Sequence, residues 1–221
     1  MPCRIVVLIS GSGSNLQALI DTLHPEQAQI LAVISNREDA YGLQRAAAAG
    51  IPAHTLSHRD YPDRPSYDRA LADLVSGYTP DLVILAGFMR ILTGEFVGRF
   101  AGRLLNIHPS LLPKYTGLHT HQRALDAGDK EHGATVHFVT EELDGGPAII
   151  QSHVPILAED TPETLAKRVS VTEHRLYPAA ARLYASGRLR LIAGQACLDG
   201  TPIDSCGLRL DAFEKDMRSH Q

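Results

Sequence analysis

The sequence predicts an α/β protein: a mostly parallel sheet with helices on both faces and an antiparallel extension toward the carboxy terminus. Three observations predict it. Apolar, β-branched runs at Arg4–Ile9, Gln29–Ser35 and Leu82–Ala86 alternate with stretches of helical periodicity, the signature of βαβ units. These runs are apolar along their length instead of alternating, as strands covered on both faces are. Past Pro113 the texture changes to the alternating segment Ala134–Val139, a polar loop and the segment Ala148–Val154, which reads as an antiparallel, hairpin-like pair.

Taken in order, the first strand runs into Ser10-Gly11-Ser12-Gly13-Ser14-Asn15. Leu16, Leu19, Ile20 and Leu23 then recur at helical spacing. Strand, glycine-rich loop and helix make a ready anion site from backbone N–H groups and a helix N-terminus. A dinucleotide fingerprint would need glycine at position 16, where Leu16 stands, and a P-loop would need a Gly-Lys-Ser/Thr ending. The loop therefore suits one phosphate better than a pyrophosphate, with a plain βα turn as the alternative. A helix is expected over Asp39–Ala49, stopped by Gly50, then a short strand over Ala53–Leu56. His58–Pro65 is polar, contains two prolines and reads as a loop, and Tyr67, Leu71, Leu74 and Val75 mark a helix ending near Gly77. Gly87–Leu92 reads as an apolar loop with one charge. A strand then ends in Asn106-Ile107-His108-Pro109. His121–Ala127 reads as a short helix. Thr161-Pro162 is a good helix start, followed by Leu165, Val169, Thr172 and Leu176 at helical spacing, with a bend or restart expected at Pro178. Arg188–Ile192 and short segments complete the chain, and the charged tail Asp211–Gln221 is expected to fray. No repeat or linker interrupts the chain, which predicts one domain over residues 1–221, with halves at 1–105 and 106–190 and an extension at 191–221.

Composition limits the function. With 221 residues, 44% hydrophobic and 21% charged, the chain can bury a sizeable core. A net charge of −4 with no basic cluster argues against a nucleic-acid partner and leaves room for a small phosphorylated ligand. Cys3, Cys197 and Cys206 share no ligand spacing, so a reduced, cytoplasmic setting is expected. No stretch is long enough to span a bilayer, and no membrane partner is expected. His119 and His121 are the closest histidine pair, but no cysteine or carboxylate at ligand spacing completes a set, so no metal is expected.

Asn106 and His108 lie two apart on an extended chain and so share one face, at a strand end where α/β sheets bind ligands. An amide donor beside an imidazole suits a reaction that builds negative charge on a carbonyl oxygen and moves a proton. A strand-end histidine bonded to a turn is the plain alternative. The strand-end logic brings the glycine loop, Phe88–Leu92, Asn106–Pro113 and Glu141–Pro147 to one crevice. Met89, Ile91 and Leu92 form an apolar slot there, or ordinary core. The acidic loop is merely solvated, or it places a carboxylate: Asp144 abuts Gly145-Gly146, and an aspartate beside a histidine raises the imidazole pKa by stabilising its charge. Glu173 falls at the margin of its helix's buried face, an odd place for a solvated charge.

Gly11-Ser12-Gly13-Ser14-Asn15, Phe88-Met89-Arg90-Ile91-Leu92, the octapeptide Asn106–Pro113, Gly117-Leu118-His119 and Leu143-Asp144-Gly145-Gly146 together resemble the phosphoribosylglycinamide formyltransferases, the folate-dependent glycinamide ribonucleotide transformylases. The octapeptide is shared with other formyl-tetrahydrofolate enzymes; the full set, from about Ile5 to about Glu173, is more specific. The resemblance implies a Rossmann-like formyltransferase fold and two small-molecule substrates, 10-formyltetrahydrofolate and glycinamide ribonucleotide, in a monomer or homodimer that serves purine synthesis. It assigns Gly13, Ser14 and Asn15 to the substrate phosphate and Glu173 to the ribose, with Ser170 beside it where the family pattern has Gln. It places folate against Arg64, Met89, Arg90, Ile91, Leu92, Asn106, and the loop Thr140, Glu141, Glu142, Leu143 and Asp144. Asn106, His108 and Asp144 match the catalytic trio. Thr116 stands where Pro is usual, which loosens that loop. The implied chemistry is attack of the glycinamide amine on the formyl carbon. Asn106 and protonated His108 would stabilise the oxyanion, and Asp144 would hold His108 charged and relay the proton. The nearest rival is a formyltetrahydrofolate hydrolase, which would have no use for a phosphate loop. A non-catalytic nucleotide-binding module would leave Asn106, His108 and Asp144 idle.

Overall fold

The computed structural model describes residues 1–219. Strands β1 (Cys3–Ile9), β2 (Ala28–Ser35), β3 (Ala53–Thr55), β4 (Leu82–Leu85) and β5 (Leu104–His108) are parallel, and β6 (Glu131–Phe138) and β7 (Ala148–Pro155) continue the same sheet antiparallel. A two-residue strand near the carboxy terminus, described below, adds to the outer edge of β7. The spatial order β3-β2-β1-β4-β5-β6-β7 puts β1 and β4 at the centre, and the two strands leave the sheet at the same end. The mostly parallel sheet with an antiparallel extension is the architecture the apolar runs predict.

Each central strand feeds two cores because its side chains alternate. Ile5, Val7 and Ile9 of β1 join Leu16 and Leu19 of α1 (Ser14–Leu23) and Leu165, Val169 and Leu176 of the long helix that follows β7. Val6 and Leu8 face the other way, against Tyr67, Leu71 and Val75 of α3 (Arg64–Gly77) and Phe96 and Phe100. Between them in sequence, α2 (Gly42–Ala48) covers β2 and β3. It is shorter at its start than the expected Asp39–Ala49, and Gly50 ends it with φ 69° as expected.

Three local expectations are corrected, and one helix had not been anticipated. The segment His58–Pro65 is not all loop: a 3-10 turn spans His58–Asp60, and α3 begins at Arg64, with Asp63 Oδ1 accepting from Ser66 N at 2.7 Å and Pro65 in the first turn. A short helix, α4 (Gly94–Arg99), was not expected; Thr93 caps it, its hydroxyl accepting from Phe96 N. Next come α5 (Thr120–Asp126) and α6 (Pro162–Ala185). α6 is one continuous helix through Pro178, so the restart expected there does not occur: burial of Leu176, Tyr177, Pro178, Ala180 and Ala181 offsets the one hydrogen bond a proline removes. The tail is ordered further than expected. β8 (Leu189–Ile192), β9 (Gln195–Leu198) and β10 (Thr201–Pro202) form a small antiparallel sheet. β11 (Leu208–Arg209) pairs with β7, and α7 runs Leu210–Ser219; positions 220 and 221, part of the segment expected to fray, lie outside the described residues.

Candidate active site

Two adjoining cavities open where the parallel strands end. The smaller, about 260 Å³, is enclosed by Ser10–Asn15 together with Ala86, Gly87 and Met89. β1 delivers the loop, and α1 starts within it at Ser14. Gly13 takes φ 69°, and a Cβ there would stand 2.6 Å from Gly42 Cα, so no other residue fits against α2. Gly42 N donates to Gly11 O at 3.0 Å and Arg45 Nε to Ser12 O at 2.8 Å, which fastens the outside of the loop. Ser10 links it to the next strand end, its hydroxyl donating to Asn36 Oδ1 at 2.5 Å and accepting from Met89 N at 2.8 Å.

The larger cavity is about 640 Å³, within the range of small-molecule sites. Asn15, Gly87 and Met89 line both. Its walls hold Met89, Arg90, Ile91, Leu92, Asn106, His108, Thr140, Glu141, Glu142, Leu143, Asp144 and Glu173, so nearly all of the expected site converges there. Met89 and Ile91 expose more than half of their surface, as does Leu143, which fits a slot, whereas Leu92 is half-buried and packs against the core behind it. Arg64 and Ser170 line neither cavity. Arg64 is exposed in the first turn of α3, and Ser170 sits half-buried on α6, one turn before Glu173.

β5 presents Asn106 and His108 to this space, and the turn after β6 brings Asp144 to them, with φ 52° at that residue. Asp144 Oδ2 lies 3.5 Å from His108 Nδ1 and accepts from Gly117 N at 2.9 Å. The other ring nitrogen, His108 Nε2, is 2.8 Å from Tyr115 O; a carbonyl only accepts, so Nε2 carries a proton and Nδ1 faces the aspartate. His137, which the sequence did not single out, completes the group. It is the cross-strand partner of Asn106, and its Nδ1 donates to Phe138 O at 2.9 Å. Burial lowers its pKa, against opposing contributions from that bond and from Asp144, which favours the neutral ring; with the proton on Nδ1, Nε2 then offers a lone pair. Asn106 Nδ2 then donates to Nε2 at 3.2 Å. The 4.0 Å approach of that nitrogen to Asp144 Oδ1 is accordingly no ion pair.

On the third side, Tyr177 of α6 shares its one hydroxyl proton between Leu85 O at 2.9 Å and Leu105 O at 3.0 Å, pinning the helix to β4 and β5. One turn earlier Glu173 accepts from Asn15 Nδ2 at 2.9 Å. Burial raises the Glu173 pKa, and the Asn15 bond partly offsets this. Asn15 Oδ1 is buried with no protein partner. Among the described residues no group of three His, Cys, Asp or Glu is placed to hold a metal ion, and no helix is long and apolar enough to cross a membrane.

Known proteins resemble this chain in sequence and in overall fold. A family model described as formyl transferase matches residues 3–181. The phosphoribosylglycinamide formyltransferase of Escherichia coli is 53% identical over 94% of this chain and 99% of its own length. The human trifunctional purine biosynthetic protein adenosine-3 is 49% identical over 85% of this chain, which corresponds to 19% of that larger protein. Among solved structures, phosphoribosylglycinamide formyltransferase from Coxiella burnetii superposes with a TM-score of 0.91 at 50% identity, covering 95% of this chain and 99% of its own. Glycinamide ribonucleotide transformylase 1 from Symbiobacterium toebii gives 0.86 at 47% identity, covering 89% and 94%. With a matching family model over most of its length and relatives near half identity, the chain belongs to the formyl transferase family, in its phosphoribosylglycinamide formyltransferase group.

Proposed function

We propose that the chain carries the formyl group of 10-formyltetrahydrofolate to the glycinamide amine of glycinamide ribonucleotide, giving formylglycinamide ribonucleotide and tetrahydrofolate in purine (IMP) biosynthesis. The observation that carries this reading is the shared wall of the two cavities: Asn15 and Met89 line both, and Asn106, His108 and Asp144 line the larger. A phosphorylated acceptor anchored at Gly13–Asn15 would reach the trio with its amine, and Glu173 lies on the way for its ribose. The larger cavity suits a folate: Met89, Ile91 and Leu92 offer apolar contact, and Arg90 and the turn from Thr140 to Asp144 offer polar groups.

The chain's own residues supply the chemistry. His137 fixes the Asn106 amide with Nδ2 as donor, which leaves its second N–H for the formyl oxygen as negative charge develops there. A donor so placed is worth roughly 3–4 kcal/mol. The Asp144 carboxylate 3.5 Å from His108 Nδ1 stabilises a positive charge on that ring, which supports the same oxygen. Asp144 is also the acceptor nearest to His108 for the proton the attacking amine must lose, on its way to the folate nitrogen. No covalent intermediate is needed, and none of the three cysteines lines either cavity.

The test is deformylation of 10-formyltetrahydrofolate with each component left out in turn. Turnover is expected only with glycinamide ribonucleotide present. Equal formate release with folate alone would make the chain a hydrolase, a reaction in which the glycine-loop cavity has no part.

A further inference from the structure

Two backbone groups from one short segment hold the catalytic pair. Tyr115 O accepts from His108 Nε2 at 2.8 Å, and Gly117 N donates to Asp144 Oδ2 at 2.9 Å. For the carbonyl and the amide to point at the two side chains, the segment adopts φ 57° at Tyr115 and 77° at Gly117, followed by 58° at His119. A tyrosine and a histidine do not choose the left-handed region unaided, so something outside the segment must impose it.

Arg123 and Asp129 do so from α5 and the turn after it. Arg123 Nη1 donates to Thr116 O at 2.6 Å and reaches Leu118 O at 3.4 Å, and its guanidinium lies 5.2 Å from the centre of the Tyr115 ring. Asp129 accepts from the Tyr115 hydroxyl at 2.9 Å and from Lys114 Nζ at 2.9 and 3.0 Å. The peptide between Tyr115 and Gly117 is thus gripped at its carbonyl, at the ring before it and at the residue before that. Neither Arg123 nor Asp129 lines either cavity, so neither is placed to touch a substrate.

We propose that Arg123, supported by Asp129, is a positioning residue for formyl transfer: it holds the Tyr115–Gly117 backbone in the conformation that fixes the His108 ring and the Asp144 carboxylate. The inference rests on the catalytic reading of His108 and Asp144 given above. It assigns a specific job to Arg123. The planar guanidinium bonds the Thr116 carbonyl through one nitrogen while it lies over the Tyr115 ring, an arrangement that the compact ammonium of a lysine reproduces only in part. It also bears on Thr116 itself, whose carbonyl Arg123 takes up at the position where a proline would stiffen the chain by itself.

The experiment compares the parent with Arg123→Ala, Arg123→Lys and the control Gln122→Ala, on the same helix and bonded outward to Asp126. Three quantities are read: kcat, KM for each substrate, and the ¹⁵N resonance of His108 Nε2. For Arg123→Ala, kcat is expected to fall about tenfold, the size of one lost charged hydrogen bond, with KM for glycinamide ribonucleotide within about twofold. The Nε2 resonance should move as its bond to Tyr115 O loosens, Arg123→Lys should recover part of both effects, and Gln122→Ala should match the parent. Parental kcat and an unmoved resonance in Arg123→Ala would overturn the proposal. So would a loss of activity that only follows the unfolded fraction, with the resonance of folded molecules unchanged. If Arg123→Ala fails to fold, Tyr115→Phe, which removes only the hydroxyl bond to Asp129, is judged by the same readouts. The resonance needs no turnover. A parent that does not formylate glycinamide ribonucleotide would therefore sink the functional reading separately, while the resonance decides whether Arg123 holds His108.

Discussion

His137 carries the most specific prediction, because its effect should pass through one other side chain. His137→Phe keeps an aromatic ring in a fully buried position and removes both ring nitrogens. Two hydrogen bonds go: Nδ1 to Phe138 O at 2.9 Å, and Asn106 Nδ2 to Nε2 at 3.2 Å. In the proposed mechanism the second is the one that bears on catalysis. Without an acceptor beside it, the Asn106 amide is free to turn, and its donor is no longer aimed into the cavity. If orientation is lost only in part, the cost is that of one neutral hydrogen bond, about 1 kcal/mol or roughly fivefold in rate. If it is lost outright, the cost approaches the full value of an oxyanion donor, about a hundredfold or more. The expected fall in kcat lies between these limits, with KM for glycinamide ribonucleotide little changed, since the ring does not adjoin the glycine-loop cavity. The decisive assay is a double-mutant cycle with Asn106→Ala. A residue that acts only by aiming Asn106 has nothing left to aim once that amide is gone, so the double variant should be no slower than Asn106→Ala alone. Fully additive losses would refute the reasoning and give His137 a separate role.

Gly13→Val should weaken glycinamide ribonucleotide far more than the folate in binding titrations, because the new side chain meets the backbone of Gly42 and is strained at φ 69°; equal losses for both ligands would place the phosphate elsewhere. Asp144→Asn keeps an acceptor for Gly117 N but removes the charge beside His108, so turnover should fall by about a hundredfold while affinity for glycinamide ribonucleotide holds; near-parental turnover would leave the Asp144 turn only a folate-binding role. His132 is buried beside His121, and desolvation pushes its pKa down to about 4. A folded pKa below the unfolded value of about 6.5 means that the unfolded chain binds the extra proton, so this contribution to stability is intact above about pH 6.5 and is lost as pH falls toward 4. Urea midpoints measured at several pH values should therefore fall over that window in the parent and fall less in His132→Gln; parallel curves would show that His132 does not titrate on unfolding.

The parallel half of the sheet was legible because strands covered on both faces leave continuous apolar runs, and β1, β2 and β4 are such strands. What was missed has local causes. Residues 94–99 hold two glycines in six positions, too short and too weak in propensity for a helical period to show, so α4 was invisible. The start of α3 was hidden because Asp63-Arg64-Pro65 sits among other turn-forming residues, although it is the same kind of cap that identified α6 at Thr161-Pro162. Pro178 misled because a proline's cost inside a helix is visible in a sequence, whereas the burial that offsets it is not.

The site divides along the same line. Asn106 and His108 could be paired by the period of a strand, and Asp144 by its Gly-Gly neighbour. His137 could not, since facing Asn106 depends on the antiparallel register of β5 with β6 across a long connection. Nor could Tyr115 O and Gly117 N, because a backbone group leaves no mark in the choice of side chain. These hidden partners also bear on the two readings of His108. A strand-end histidine bonded to a turn is what the structure shows, and the catalytic imidazole proposed above is compatible with it. The turn's carbonyl holds Nε2, and holding Nε2 is what leaves Nδ1 to face Asp144. A structural hydrogen bond at one nitrogen is thus the means by which the other is assigned its chemistry.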